Sequence, residues 1–275
     1  MAMTCIAAAF GLPCFAQPFE VPGCSGLPGY SQLKSAIAQA TQAESSGLNN
    51  QMWATIVNRD GVVCAVAFSG TNRGAQWPGS RVISAQKANS GNAFSLDSSS
   101  NSNGSGQAAG LALSTANLFS AVQPGGSLFG VQESNPVDTG VAYQGLSALY
   151  GTANDPMVGN KIGGINVFGG GFALYATGHV IVGGVGVSGD TSCADHNIGW
   201  RVRNILGLDH MAKTSTLPAV AGPASLFAGD ATHPDNIIFD IAANPGGGTG
   251  ISASGFGHPS CLNTSGSSTL PAVEP

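Results

Sequence analysis

Apolar residues fall into two kinds of pattern along this chain, and together they predict a series of helices and hairpins. Leu33, Ile37 and Ala40, with Ala36 and Ala43 between them, mark one face of a helix capped by Ser31 and stopped by Gly47. From Trp53 to Phe68, two β-rich runs flank Asp60-Gly61, a strong short hairpin signal. Trp77-Pro78-Gly79-Ser80 then leads into a helix over 81–94, with Ser80 as cap and Val82, Ala85, Ala88 or Asn89, and Ala93 on related faces. Leu111, Leu113, Leu118 and Phe119 predict a short helix over 110–122, ended by Pro124-Gly125-Gly126. Phe172 and Leu174 alternate before Thr177-Gly178, and Val180 and Val182 after it, which predicts a second hairpin. Gly183, Gly184, Gly186 and Gly189 punctuate its second strand. Glycine weakens a strand unless a helix, a ligand or another backbone comes close. Asp190, Thr191 or Ser192 then caps a final helix ending near Gly207, with Ala194, Ile198, Val202, Ile205 and Leu206 as its stripe.

Between these elements, 95–107 is Ser/Asn/Gly-rich and reads as a solvated loop. An insertion at about 130–163 carries Tyr143 and Tyr150, and its aromatic content favours order. After His210 the pattern weakens, and 213–275 reads as an extension packed on the core, with one strand over 236–241. Hairpins alternating with helices predict an α+β domain, an antiparallel sheet flanked by helices, over 17–212.

Composition sharpens this picture. Only 8% of the residues are charged, against about a quarter in an average soluble chain, and Gly, Ser, Asn and Thr supply the polar surface instead. The net charge of -5 offers no basic field for a polyanion, so nucleic acid is excluded as a partner. No stretch is long enough to span a bilayer. Residues 3–15 are mostly apolar and are followed by Ala16-Gln17, which predicts a signal peptide over 1–16 and a periplasmic or secreted protein. Cleavage would leave Cys24, Cys64, Cys193 and Cys261, which allow three pairings. In an oxidising compartment they form two disulfides, and a Cys193–Cys261 bridge would fasten the extension to the start of the final helix. Buried free thiols are the alternative, for which Cys64, inside an apolar strand, is the best case. No metal-binding Cys/His spacing, nucleophile elbow, zincin helix, P-loop or dinucleotide fingerprint occurs.

The order of a glycine-rich strand, Gly186-Val187-Ser188-Gly189, a polar cap and a helix with an early Asp195 resembles the GlcG/HbpS haem-binding family. Gln86-Lys87-Ala88 matches the Ala-Lys-Ala-like core of that family's earlier helix, and the shared order runs from about Leu33 to Leu208. The resemblance implies a profilin-like, GlcG-like fold and a homo-oligomer. It also implies haem or iron binding outside the cytoplasm, with haem degradation or redox sensing as the activity. The expected site lies where the helices approach the glycine-rich hairpin, lined by Gly170 and Gly186. His196, one turn before Trp200, is the candidate iron ligand, and the bland alternative is a polar residue completing the first helical turn. Lys87 and Arg81 are the candidate propionate partners, or else surface charges. Tyr143, Tyr150 and Tyr175 are alternative axial groups. Asp190 and Asp195 read as helix caps or dipole partners. Two other classes stay open: a cofactor-free enzyme acting on a small hydroxy acid between the hairpin and the Lys87 helix, and a structural oligomeric accessory protein.

Overall fold

Alternation along the strand Trp53–Asn58 (β1) places Trp53, Thr55 and Val57 on one face of a sheet and Ala54 and Ile56 on the other, and all of them are buried. The computed structural model describes residues 21–97, 111–211, 232–242, 244–247, 250–263, 266 and 269–275. The predicted signal peptide lies outside the described residues. Val63–Phe68 (β2), Gly171–Ala176 (β3) and Val180–Ser188 (β4) complete an antiparallel sheet in the order β2-β1-β4-β3. The α+β expectation therefore holds. Both predicted hairpins form. The first turns at Gly61 (φ +78°), where the Asn58 side chain accepts from the N–H groups of Asp60 and Val62. The second turns at Gly178 and His179, both with positive φ.

The helix Ser80–Phe94 (α2) packs on β1, β3 and β4 over the Trp53 face. Tyr30–Gln42 (α1) and Ser192–Ile205 (α4) pack on each other over the Ala54 face, and a one-turn helix, Thr139–Ala142 (α3), lies in the insertion. A Cβ on Gly186 would lie 1.9 Å from the Ser84 carbonyl oxygen, and one on Gly91 would lie 2.5 Å from the Phe172 nitrogen. Gly186, like Gly184, thus answers to a helix backbone lying directly on the sheet, whereas Gly183 abuts the Val57 carbonyl of β1.

Boundaries differ from the expectations in instructive ways. α1 starts after Gly29, whose N–H is held by the Gln32 side chain, rather than at a Ser31 cap, and it ends well before Gly47. Ser80 is the first residue of α2 rather than its cap. The predicted helix over 110–122 is absent from the described part of that range. There Leu111 bridges Leu96, and only a short 3-10 turn, Ser120–Val122, forms. The cause is local competition for the backbone. Asn117 accepts from Ser114 N–H, while Thr115 Oγ1 bonds the Phe168 carbonyl and Gly171 N–H. The strand predicted over 236–241 is reduced to Ile241–Ala242 (β5), paired with Ile251–Ser252 (β6).

Cys193 and Cys261 are bridged as expected. Cys64, the best case for a free thiol, is instead bonded to Cys24, which ties the segment before α1 to the edge strand β2.

Candidate functional site

α2 and α4 lie on opposite faces of the sheet and meet past its end, where β3 begins and β4 finishes. Lys87 Nζ reaches Asp195 Oδ2 at 2.6 Å and the Val187 carbonyl at 3.1 Å, and it sits 3.6 Å from the centroid of the Phe168 ring. Lys87 and Asp195 are both fully buried. Burial draws the Lys87 ammonium down to about 8 and pushes the Asp195 carboxyl up to about 6, each shift opposed by the partner's charge. This pair is a latch between two helices. It is not a surface charge, and its ammonium has no direction left for a propionate. Asp195 also accepts from Asp190 N–H, and Asp190 in turn holds the N–H groups of Leu48 and Asn50. These carboxylates tie loops and helices together rather than cap α4, where the Thr191 side chain makes no cap bond either.

His196 is wholly buried, with its ring 4.7 Å from that of Phe172 and 6.1 Å from that of Trp200. Neither ring nitrogen makes a hydrogen bond of normal geometry, although the Asn236 side chain lies near enough to act on it. Burial, and then the charge of Arg203, hold its pKa well below the ordinary histidine value. The ring does not complete a solvated turn but lies wholly buried beside Phe172 and Trp200. Gly170 and Gly186 line no open space. A Cβ at Gly170 would strike the Val187 carbonyl oxygen at 2.3 Å, and Gly186 is covered by α2. Tyr175 is buried in the core, where loss of water raises its phenol pKa.

Arg81 leads elsewhere. Its guanidinium forms a bidentate ion pair with Asp155, donates to the Ala142 carbonyl at 2.8 Å and stacks 3.6 Å above the Tyr150 ring. Asp155 also accepts from Gly151 and Met157 N–H. The insertion is therefore folded around one arginine of α2. Beside this pair opens a cleft of about 650 Å³, within the range of small-molecule sites, about 300–1,000 Å³. Trp53 lines it from the sheet, Pro78, Gly79, Arg81 and Val82 from the start of α2, and Tyr143 and Tyr150 from the insertion. Asn72, Arg73 and Gly74 close it from a 3-10 turn, Arg73–Ala75, which the Asn72 side chain caps. Tyr143 is 60% exposed, whereas the Tyr150 hydroxyl donates to the carbonyls of Tyr143 and Gln144. Among the described residues no carboxylate pairs with the exposed Arg73.

Of the residues named from sequence, the structure brings Arg81, Tyr143 and Tyr150 together here, and places Lys87, His196, Gly170 and Gly186 in the interior away from the cleft's lining. Sequence reasoning missed Arg73 and Trp53. The one signal for them was the break Gly70-Thr71-Asn72-Arg73-Gly74 between a strand and a Pro-led helix.

A protein-family model described as "Haem degrading protein HbpS-like" matches residues 31–201. Three solved structures are similar to the chain. A PduOC–haem complex superposes with a TM-score of 0.40 and 19% identity, covering 64% of this chain and 89% of that one. Klebsiella pneumoniae ORFY, of the DUF336 family, gives 0.40 and 21%, covering 64% and 86%. A double mutant of Streptomyces reticuli HbpS gives 0.36 and 12%, covering 75% and 99%. Comparison with curated proteins yields no match.

Proposed function

The chain belongs to the HbpS-like haem-degrading family, and on that premise we propose that it binds haem, in the cleft between the 72–74 turn, the start of α2 and the insertion. The observation that carries this reading is the cleft itself, about 650 Å³ with an aromatic floor, an exposed phenol and an exposed arginine at its edge. The residues fit the group. Trp53, Pro78 and Val82 offer apolar surface to a macrocycle and exclude water from it. Tyr143 offers a phenol oxygen, one of the side-chain types that hold haem iron. Arg73 offers a guanidinium to a propionate. Arg81, first considered for that part, is committed to Asp155 and serves by fixing Tyr150 as a wall. Haem, when bound, supplies a redox-active iron, and degradation or redox sensing is our finer reading of what it does there.

We place this activity outside the cytoplasm, in keeping with two disulfides in a chain with few charges. Among the described residues no helix is long and apolar enough to cross a membrane. A homo-oligomer remains part of the reading, supported by exposed Phe129 and Leu146 on the insertion. The hydroxy-acid reading loses its cation, because Lys87 is sealed against Asp195.

Haem titration of the purified chain tests the proposal. A saturable Soret band is expected, displaced in Tyr143→Phe and weakened in affinity in Arg73→Ala, but kept in His196→Leu. A chain that gives no saturable band does not bind haem. A band indifferent to Tyr143 and Arg73 but lost with His196 would move the site into the α4 core.

A further inference from the structure

Cys193, at the start of α4, is fully buried, and its disulfide partner Cys261 is partly exposed. His258 lies against them. One ligand atom from each of Cys193, Cys261 and His258 falls within 4.8 Å of the other two. His258 is itself 3% exposed, and its ring is oriented by its partners. Nδ1 lies 2.7 Å from the Pro259 carbonyl, which can only accept, so this nitrogen carries the proton. Nε2 therefore keeps its lone pair, and Ser192 Oγ, at 2.7 Å, donates to it. An imidazole with one N–H fixed on a backbone carbonyl and the other nitrogen bare is in the form that ligates metals.

We propose that Cys193, Cys261 and His258 form a redox-gated site for a zinc-like divalent cation, shut while the disulfide stands and opened by its reduction. The chemistry balances with an external dithiol as reductant. One thiolate of the dithiol attacks Cys261 Sγ, the more exposed sulfur, and forms a mixed disulfide. Cys193 leaves as a thiolate at the N-terminus of a 14-residue helix, where unpaired N–H groups stabilise the anion. The second thiol of the reductant then displaces Cys261. Two electrons have passed to the protein, the reductant has become a disulfide, and both cysteines are thiols or thiolates. Binding of the cation expels the remaining thiol protons to solvent and places two sulfurs and Nε2 around it, with water or Ser192 Oγ in the fourth position. Metal bonds of about 2.3 Å to sulfur and about 2.0 Å to nitrogen set neighbouring tetrahedral ligand atoms about 3.3–3.8 Å apart, a spacing the two sulfurs can take only once their bond is broken, with the His258 nitrogen already within 4.8 Å of both. The other disulfide is an internal control. Among the described residues no His, Asp or Glu joins Cys24 and Cys64 in such a group.

Cobalt(II), a spectroscopic stand-in for zinc, tests the site on the full chain, oxidised and anaerobically reduced. The reduced chain should take up a single equivalent, with thiolate-to-cobalt bands in the near ultraviolet and tetrahedral bands in the visible, and the oxidised chain none. Cys261→Ser should abolish both sets of bands, and His258→Ala should weaken binding about tenfold or more. No binding by the reduced chain overturns the proposal, as do bands undiminished in Cys261→Ser, which keeps Cys24 and Cys64. Should reduction melt the chain, refolding with zinc against refolding with a chelator becomes the readout. Zinc-dependent recovery that His258→Ala removes supports the site, and equal recovery under both conditions overturns it.

Discussion

Lys87 and Asp195 show how far residue type can mislead when burial is unknown. Each is an ordinary surface residue by composition, yet the two meet in the interior with no exposed surface. Truncating one partner strands a buried charge, so Lys87→Met should cost about 3–5 kcal/mol. Adding Asp195→Leu should recover most of that loss, less the bond that Asp195 accepts from Asp190 N–H. Urea unfolding of the three variants against wild type gives the coupling. His196 makes the second prediction at this scale. The folded ring stays neutral well below the ordinary value of 6.5, while the unfolded ring takes a proton there. Below pH 6.5 the unfolded state therefore binds more protons, and stability falls as pH falls. Protonation of folded Asp195 near pH 6, above its unfolded value of 3.8, works in the opposite direction and flattens the decline. Removing the ring with His196→Leu should reduce the slope by about 1 kcal/mol per unit on average between pH 6.5 and 5, approaching about 1.4 at the acid end, read from unfolding curves across that range. The sequence marked His196 and Lys87 as chemically capable groups. Trp200 shares a helix with His196 and that proximity was legible, but the enclosure of His196 and Lys87 also depends on Phe168 and Phe172, which come from elsewhere in the chain, and no local pattern carries that information.

At the scale of elements the order was legible almost throughout. Hairpin, helix, hairpin and helix follow from the Asp60-Gly61 and Thr177-Gly178 turns and from the stripes of α1, α2 and α4. Where the reading failed, polar side chains had claimed the backbone, as Thr115 and Asn117 did in place of a helix. The glycines of β4 were read as room for a helix, a ligand or another backbone to come close. The tenant is α2. Gly186→Ala would drive a methyl group into the Ser84 carbonyl, which a backbone can relieve only by lifting the helix. A loss of about 2–3 kcal/mol is expected, and thermal melts should show it without any loss of disulfides. A wild-type melting temperature in this variant would mean that α2 does not lie where it is described.

Across the whole molecule, the C-terminal segment is tied on by more than its disulfide. Arg203 of α4 is clamped by both oxygens of Asp235 at 2.6 and 2.7 Å, fully buried, and Trp200 Nε1 donates to the Pro271 carbonyl. Asp235→Ala should therefore cost about 3–5 kcal/mol, because it leaves a buried guanidinium without its counter-ion, and chemical denaturation should show that loss even with Cys193–Cys261 intact. This attachment was only partly legible. The count of four cysteines left the bridge as one of three pairings, but nothing near Asp235 in the chain announces a partner on α4. The cleft was hidden for the same reason, since its walls come from β1, the turn after β2, α2 and the insertion. The close backbone approach of α2 to the sheet at Gly91, Gly184 and Gly186 carries one more consequence. Those contacts begin at Ser84, just after the first turn, and Arg81 within that turn is held by Asp155, so the first turn of α2 forms the stiffer lip of the cleft. Any swing that admits or grips a guest falls to the opposite lip, the Asn72–Gly74 turn and Tyr143. Exchange should therefore be gated from one side, and stiffening that turn should slow entry and exit together while leaving the equilibrium almost untouched.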